Sequence, residues 1–226
     1  PILDAAMIDA LQIELPAWAV APPKTPQSAF IWLLEVQLLT AEGILVDETL
    51  LRHNLPDETL RRRLDSNIIE AFFRQDVGTL NKKGIPVILP LSEELLGDAA
   101  FVQQLCQRFV AAGLASSRCG FAFPAASVLS KSDRFYTALL QLRECGCRIA
   151  LHHFGRNLDA FNLLSDEVVD YLVLAPELVA NAHTSLMDEM LLTIIQGQAT
   201  QRHISVLAGP VSVPAVLSTL ADLDVD

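Results

Sequence analysis

CRIALHHFGRNLDAFNLL, residues 147–164, carries the reading of the fold. A short apolar run, Ile149-Ala150-Leu151, ends in a polar pair, His152-His153, and turns at Phe154-Gly155. Leu158, Phe161, Leu163 and Leu164 then recur at helical spacing. A second strand-like run, residues 168–174 (VVDYLVL), follows at once. Strand, polar pair, glycine turn, short helix and strand make a β/α unit, in which the chemistry-bearing edge is the C-terminal end of the strand.

Outward from that unit the same rhythm repeats. Residues 31–40 (IWLLEVQLLT) read as one buried strand that carries a lone acid, Glu35. Residues 57–83 are helical by spacing, with Leu60, Leu64, Ile68, Ile69, Phe72 and Phe73 at intervals of three and four, and Gly84 closes them. Strands are expected at 85–92, 119–123 and 204–209, and helices at 99–112, 133–144, 176–198 and 214–223. Glycines follow the helices, and Pro176 opens one where proline is tolerated. Nearly continuous apolar strands belong to a parallel sheet covered on both faces. About six such units point to an α/β fold of the TIM-like (β/α) barrel kind. A doubly wound nucleotide fold is disfavoured, since no Gly-rich phosphate loop follows the first strand.

Composition narrows the function classes. The 226 residues are 51% hydrophobic and 19% charged, which excludes a disordered chain. The formal charge of −11 sets the chain against nucleic acid, whose phosphates would repel it. No apolar run reaches the roughly 18 residues a membrane span needs, so no membrane insertion is expected. The four cysteines show no CxxC spacing, and Cys145 and Cys147 stand too close for a disulfide with each other. They read as reduced thiols used as small buried hydrophobes in a cytoplasmic protein. No GxSxG elbow supports a serine hydrolase. Arg61-Arg62-Arg63 reads as a solvated helix face rather than a phosphate site.

Ordered landmarks resemble the EAL domain, the barrel family that hydrolyses cyclic di-GMP in bacterial signalling. Leu34-Glu35-Val36-Gln37-Leu38-Leu39 lies where the family has its Glu-Ala-Leu strand. Ile88-Leu89-Pro90-Leu91-Ser92 lies at its Val-Asn-Leu-Ser, and Ala150-Leu151-His152-His153-Phe154-Gly155 at its Ala-Leu-Asp-Asp-Phe-Gly. Val169-Asp170-Tyr171-Leu172-Val173-Leu174 lies at its Val-Asp-Tyr-Leu-Lys-Ile, and Ala208-Gly209 in its Ala-Glu-Gly turn. The resemblance implies one EAL-type domain over residues 1–226, excised from a longer multidomain signalling protein. Its last barrel strand would be incomplete or irregular, because the family's final strand begins about where the sequence stops.

The resemblance also implies that the catalytic equipment is missing. Active members hold two divalent cations on strand-end carboxylates and an asparagine, which hard cations require. Carried over position by position, Glu35 alone keeps its acid. The asparagine falls on Pro90, a glutamate on Phe123, the aspartate pair on His152-His153, the lysine on Val173, and the next aspartate on Ala175. The last glutamates fall on Ala208 and Val211.

The expectation is therefore a degenerate EAL domain, not an enzyme, with no metal and no cofactor. It would be a cytoplasmic regulatory module that contacts a partner protein or an adjacent domain. The alternative is a receptor that binds cyclic di-GMP without hydrolysing it. A vestigial pocket would then comprise Glu35, Gln37, His152, His153 and Arg156, with Arg156 replacing the phosphate-binding arginine that falls on Leu39. Adjacent strand residues point to opposite faces, so the two histidines are not expected to ligate one metal, and one is expected at the barrel mouth with the other against a helix. Glu35 is expected inside the barrel, bonded to a neighbouring polar group. Homodimerisation, common in the family, is left open.

Overall fold

A computed structural model describes residues 3–21, 30–75, 85–112, 118–126, 133–155, 157–166 and 168–225. Elements are numbered here in chain order. The main sheet contains β2 (Ala17–Val20), β3 (Ile31–Leu34), β6 (Val87–Pro90), β7 (Cys119–Pro124), β8 (Arg148–Phe154), β9 (Tyr171–Leu174) and β10 (Ser205–Leu207), in the order β10-β9-β8-β7-β6-β3-β2. All neighbours from β3 to β10 are parallel, and β2 alone runs antiparallel, against β3. A small antiparallel sheet, β1-β4-β5, joins β1 (Gln12–Glu14), β4 (Gln37–Leu39) and β5 (Leu45–Val46).

The helices are α1 (Ala5–Ala10), α2 (Glu48–Asn54), α3 (Glu58–Arg74), α4 (Ala99–Ala111), α5 (Asp133–Glu144), α6 (Pro176–Asn181), α7 (Leu186–Thr200) and α8 (Pro214–Asp222). Asp57 opens α3 by accepting a hydrogen bond from the amide of Leu60 at 2.9 Å. Leu64, Ile68, Ile69 and Phe72 on its inner face pack onto the sheet.

The strands bury both faces. On one side Val87, Leu89, Phe121, Phe123, Ile149 and Leu151 pack against the helices. On the other, Val20, Ile31, Ile88, Ala122, Ala150 and Leu207 form a second, smaller core inside the curl of the sheet. This is the half-barrel that two-sided apolar strands demand. Its two outer strands face each other across an apolar cleft of about 550 Å³, lined by Trp18, Val20, Leu33, Ala208, Leu220 and Val225. Among the described residues no strand pairs β2 with β10.

Three expectations need correction. The single strand over 31–40 is two strands in different sheets. The amide of Glu35 donates to the carbonyl of Pro16 at 2.9 Å, and the chain leaves the main ladder there. The long helix over 176–198 is α6 and α7, because amides of Thr184 and Ser185 fold back onto the carbonyl of Asn181 and Ser185 caps a new start. The reading of all four cysteines as reduced fails for one pair. Cys106 on α4 and Cys145 after α5 lie 39 residues apart in sequence, yet packing of the two helices sets their Cα atoms 6.1 Å apart in a disulfide. Cys119 and Cys147 are buried free thiols, as read. The stretches 76–84 and 113–117, with Gly84 and Gly113, lie outside the described residues.

Gly120 on β7 sits in close contact with both neighbouring strands. A Cβ there would meet Ile88 Cδ1 at 2.5 Å and the backbone oxygen of Arg148 at 2.6 Å. Backbone on that side cannot give way, so Gly120→Ala is expected to lower unfolding stability by about 2 kcal/mol, read by urea denaturation. Reduction of the Cys106–Cys145 bond releases a closed loop across α4 and α5. A thermal scan with and without dithiothreitol is expected to show a loss of about 2–4 kcal/mol.

Candidate functional site

The C-terminal ends of the parallel strands carry the residues singled out in the sequence. Glu35 follows β3. Its Oε2 accepts from the Trp18 indole Nε1–H at 2.8 Å, and its Oε1 accepts from Gln37 Nε2 at 3.3 Å. The polar partners were expected, but the side chain is exposed at the rim instead of lying inside the barrel. The cause is local, since the chain has already left β3 at this point and β4 belongs to the other sheet.

His152 and His153 close β8, and they do meet. The pairing of β8 with β9 slips between Leu151 and Phe154, and His153 adopts φ 54°, the left-handed region. That irregularity breaks the strand alternation and swings both rings to one side. Nδ1 of one stands 3.0 Å from Nδ1 of the other, with ring centroids 4.7 Å apart. The expectation of opposite faces is thereby overturned. Gly155 follows at φ 101°, where a Cβ would strike Leu178 Cδ2 at 2.6 Å. Arg156 lies outside the described residues. Glu35 and Gln37 thus form one contact and the two histidines another.

A buried network beside this rim escaped the sequence reading. Asp65 on α3 is wholly buried. It accepts from Arg52 Nη2 at 2.7 Å, and from both the hydroxyl and the amide of Ser92, just past the end of β6. Arg52, on α2, also donates through Nε to Glu48 at 2.8 Å, and its Nη1 is buried without a partner among the described residues. Burial pushes the Asp65 carboxyl up, against the opposing pull of Arg52 and Ser92. A signal existed, since Asp65 shares its helical face with Ile68, Ile69 and Phe72.

This network reaches the histidines electrostatically. Burial of the ring, then its neighbour His153, then the charge of Arg52 hold His152 down to about 3. The imidazole is neutral at ordinary pH. The arginine run, by contrast, is absorbed by structure: Arg61 bonds Glu94, Arg62 bonds Glu58, and Arg63 bonds Asp9. At the opposite end of β8, Asp170 gathers Arg143, Arg148 and the amide of Ile149 within 2.9 Å, a stabilising clamp far from the rim. Burial raises the Cys119 and Cys147 thiols to about 12, so neither is a nucleophile.

Among the described residues no three His, Cys, Asp or Glu side chains stand close enough to hold a metal ion. The remaining strand ends present Pro90, Pro124, Ala175 and Ala208.

A family model described as the EAL domain matches residues 36–226. The chain belongs to the EAL domain family. It is 37% identical over 220 residues to the probable diguanylate cyclase DgcE of Escherichia coli (strain K12), covering 97% of this chain and 20% of that protein. It is 28% identical over 127 residues to the blue light- and temperature-regulated antirepressor BluF of the same organism, covering 56% of this chain and 31% of BluF. The chain therefore spans about a fifth to a third of the length of these curated relatives. Solved EAL structures share the fold. The Xanthomonas citri FimX EAL domain in complex with c-diGMP superposes with a TM-score of 0.79 at 16% identity, over 96% of this chain and 84% of that one. Klebsiella pneumoniae BlrP1, a calcium/cy-diGMP complex, gives a TM-score of 0.80 at 17% identity, over 99% of this chain and 58% of that one. No helix among the described residues is long and apolar enough to cross a membrane.

The pH dependence follows from His152. Its folded value near 3 lies below the ordinary 6.5, so in between the unfolded chain takes up a proton that the folded chain refuses. The contribution of this group is intact above about pH 6.5 and is lost as pH falls toward 3, with a slope of at most about 1.4 kcal/mol per unit. Urea unfolding across this window is expected to show a flatter pH profile for His152→Gln than for the native chain.

Proposed function

We propose that this EAL domain does not hydrolyse cyclic di-GMP and acts as a regulatory module through contacts with a partner protein or a neighbouring domain. One observation supports this reading above others, the donor set at the strand ends. Two hard cations held a few ångströms apart need a cluster of carboxylate oxygens. The rim offers the carboxylate of Glu35, already bonded to Trp18 and Gln37, then two imidazoles, prolines and alanines. Asp65, the next acid inward, is committed to Arg52 and Ser92. Such a set does not fit the family's metal pair.

A role exerted through protein contacts is supported by the likeness to BluF, which is named an antirepressor, and by the small share of DgcE that the chain covers. The reading places the domain in the cytoplasm. A non-hydrolysing receptor is the second reading, since the FimX EAL domain of the same fold is described in complex with c-diGMP. Against it, Leu39 stands on β4 at the family's arginine position, and Arg52 is engaged by Asp65 and Glu48.

Isothermal titration of cyclic di-GMP with and without Mg²⁺, followed by chromatography of the nucleotide, tests both. The expected result is no linear product in either buffer and no heat of binding. Metal-dependent product would overturn the proposal. Binding without product would select the receptor, with Glu35→Ala and Arg156→Ala then expected to weaken it.

A further inference from the structure

Three non-glycine residues among those described have φ in the left-handed region, His153, His203 and Asp224. His203 and Asp224 follow the ends of α7 and α8, where a left-handed residue commonly closes the last turn. His153 lies inside β8, where an L residue gains nothing from that conformation. What it does there is bring its Nδ1 to 3.0 Å from Nδ1 of His152. His152 is partly buried and His153 exposed, so the pair opens to solvent on one side. Strain held at a strand end, with two ring nitrogens brought together by it, points to a use for the pair.

We infer that His152 and His153 chelate one divalent transition-metal ion of the copper(II) or nickel(II) class, through Nδ1 of each ring. Bonds of about 2.0–2.1 Å to imidazole nitrogen, at an angle between right-angled and tetrahedral, set two ligand nitrogens about 2.8–3.4 Å apart. The observed 3.0 Å falls in that range, toward the right-angled end that copper and nickel prefer. The ring centroids, 4.7 Å apart, are closer than two imidazoles meeting head-on across that gap would place them. Both rings are therefore tilted off the line between the nitrogens, as ligands of one shared ion must be. Each ring then carries its proton on Nε2, and water completes the coordination. One ion on two nitrogens is different chemistry from a pair of hard cations on carboxylates, because imidazole suits copper and nickel while carboxylate suits magnesium. The positive charge that His152 feels does not bar entry, since Arg52 is paired with both Asp65 at 2.7 Å and Glu48 at 2.8 Å. The net charge of −11 favours a cation in general.

The test is isothermal titration of CuCl2 and of NiCl2 into the 226-residue chain, without reductant so that the Cys106–Cys145 bond persists. Electron paramagnetic resonance of the copper form follows. One equivalent of either ion is expected to bind and to resist excess Mg²⁺, with copper showing hyperfine splitting from two nitrogens. His152→Gln and His153→Gln are each expected to raise Kd about ten-fold or more. His153→Gly separates site from fold. Glycine suits the φ of 54° there, so the melting temperature is expected to hold or rise while chelation is lost. His183→Gln, at an exposed histidine beyond α6, is expected to bind as the native chain does. No binding by the native chain, displacement by Mg²⁺, or splitting from a single nitrogen would overturn the proposal. So would binding indifferent to the His152 and His153 substitutions, which would leave the pair as a plain N–H···N hydrogen bond.

Discussion

The ladder of β6, β7 and β8 leaves neither face of its strands to water. Ile88, Ala122 and Ala150 look into the curl of the sheet, while Leu89, Phe123 and Leu151 look out to the helices. Parallel strands buried in this way place nearly every backbone polar group in the ladder itself and confine polar side chains to the strand ends. At Gly120 on β7 there is no room for a Cβ between Ile88 of β6 and Arg148 of β8, the neighbouring strands of the same sheet. The clamp on Asp170 at one end and the rim residues at the other both follow from this exclusion.

At the rim the dominant energetic demand is the burial of Asp65. A carboxyl with no solvent access is tolerated because Arg52, Ser92 and the amide of Ser92 surround it. Holding Arg52 there fixes a positive charge near His152 and helps keep that imidazole neutral. The result is a strand-end region organised by one internal ion pair and two imidazoles in edge contact. Function lives in the site more than in the frame that carries it.

The exposed surface tells a second story. Unlike α3, whose Arg61, Arg62 and Arg63 are tied into ion pairs with Glu94, Glu58 and Asp9, α7 turns methionine and isoleucine to water.

By itself, the sequence determined the layer architecture and the family. Apolar runs at 85–92, 119–123 and 149–151, alternating with helical spacing at 57–83, 99–112 and 133–144, specify a two-sided parallel sheet, because periodicity is a local property of the chain. It also located His152 and His153 at a strand end, since βα order fixes which end of a strand faces the site. Tertiary structure alone decided what those residues touch. The break after Leu34 that exposes Glu35, the slip in β8 that joins the two histidines, and the pairing of Cys106 with Cys145 all depend on neighbours distant in sequence. Asp65 was legible as a polar intruder on an apolar face, but Arg52 and Ser92 become its partners only when α2, α3 and β6 are packed together. Periodicity is written within a few turns of chain, whereas compensation of a buried charge requires knowing which distant groups the fold brings within hydrogen-bonding reach.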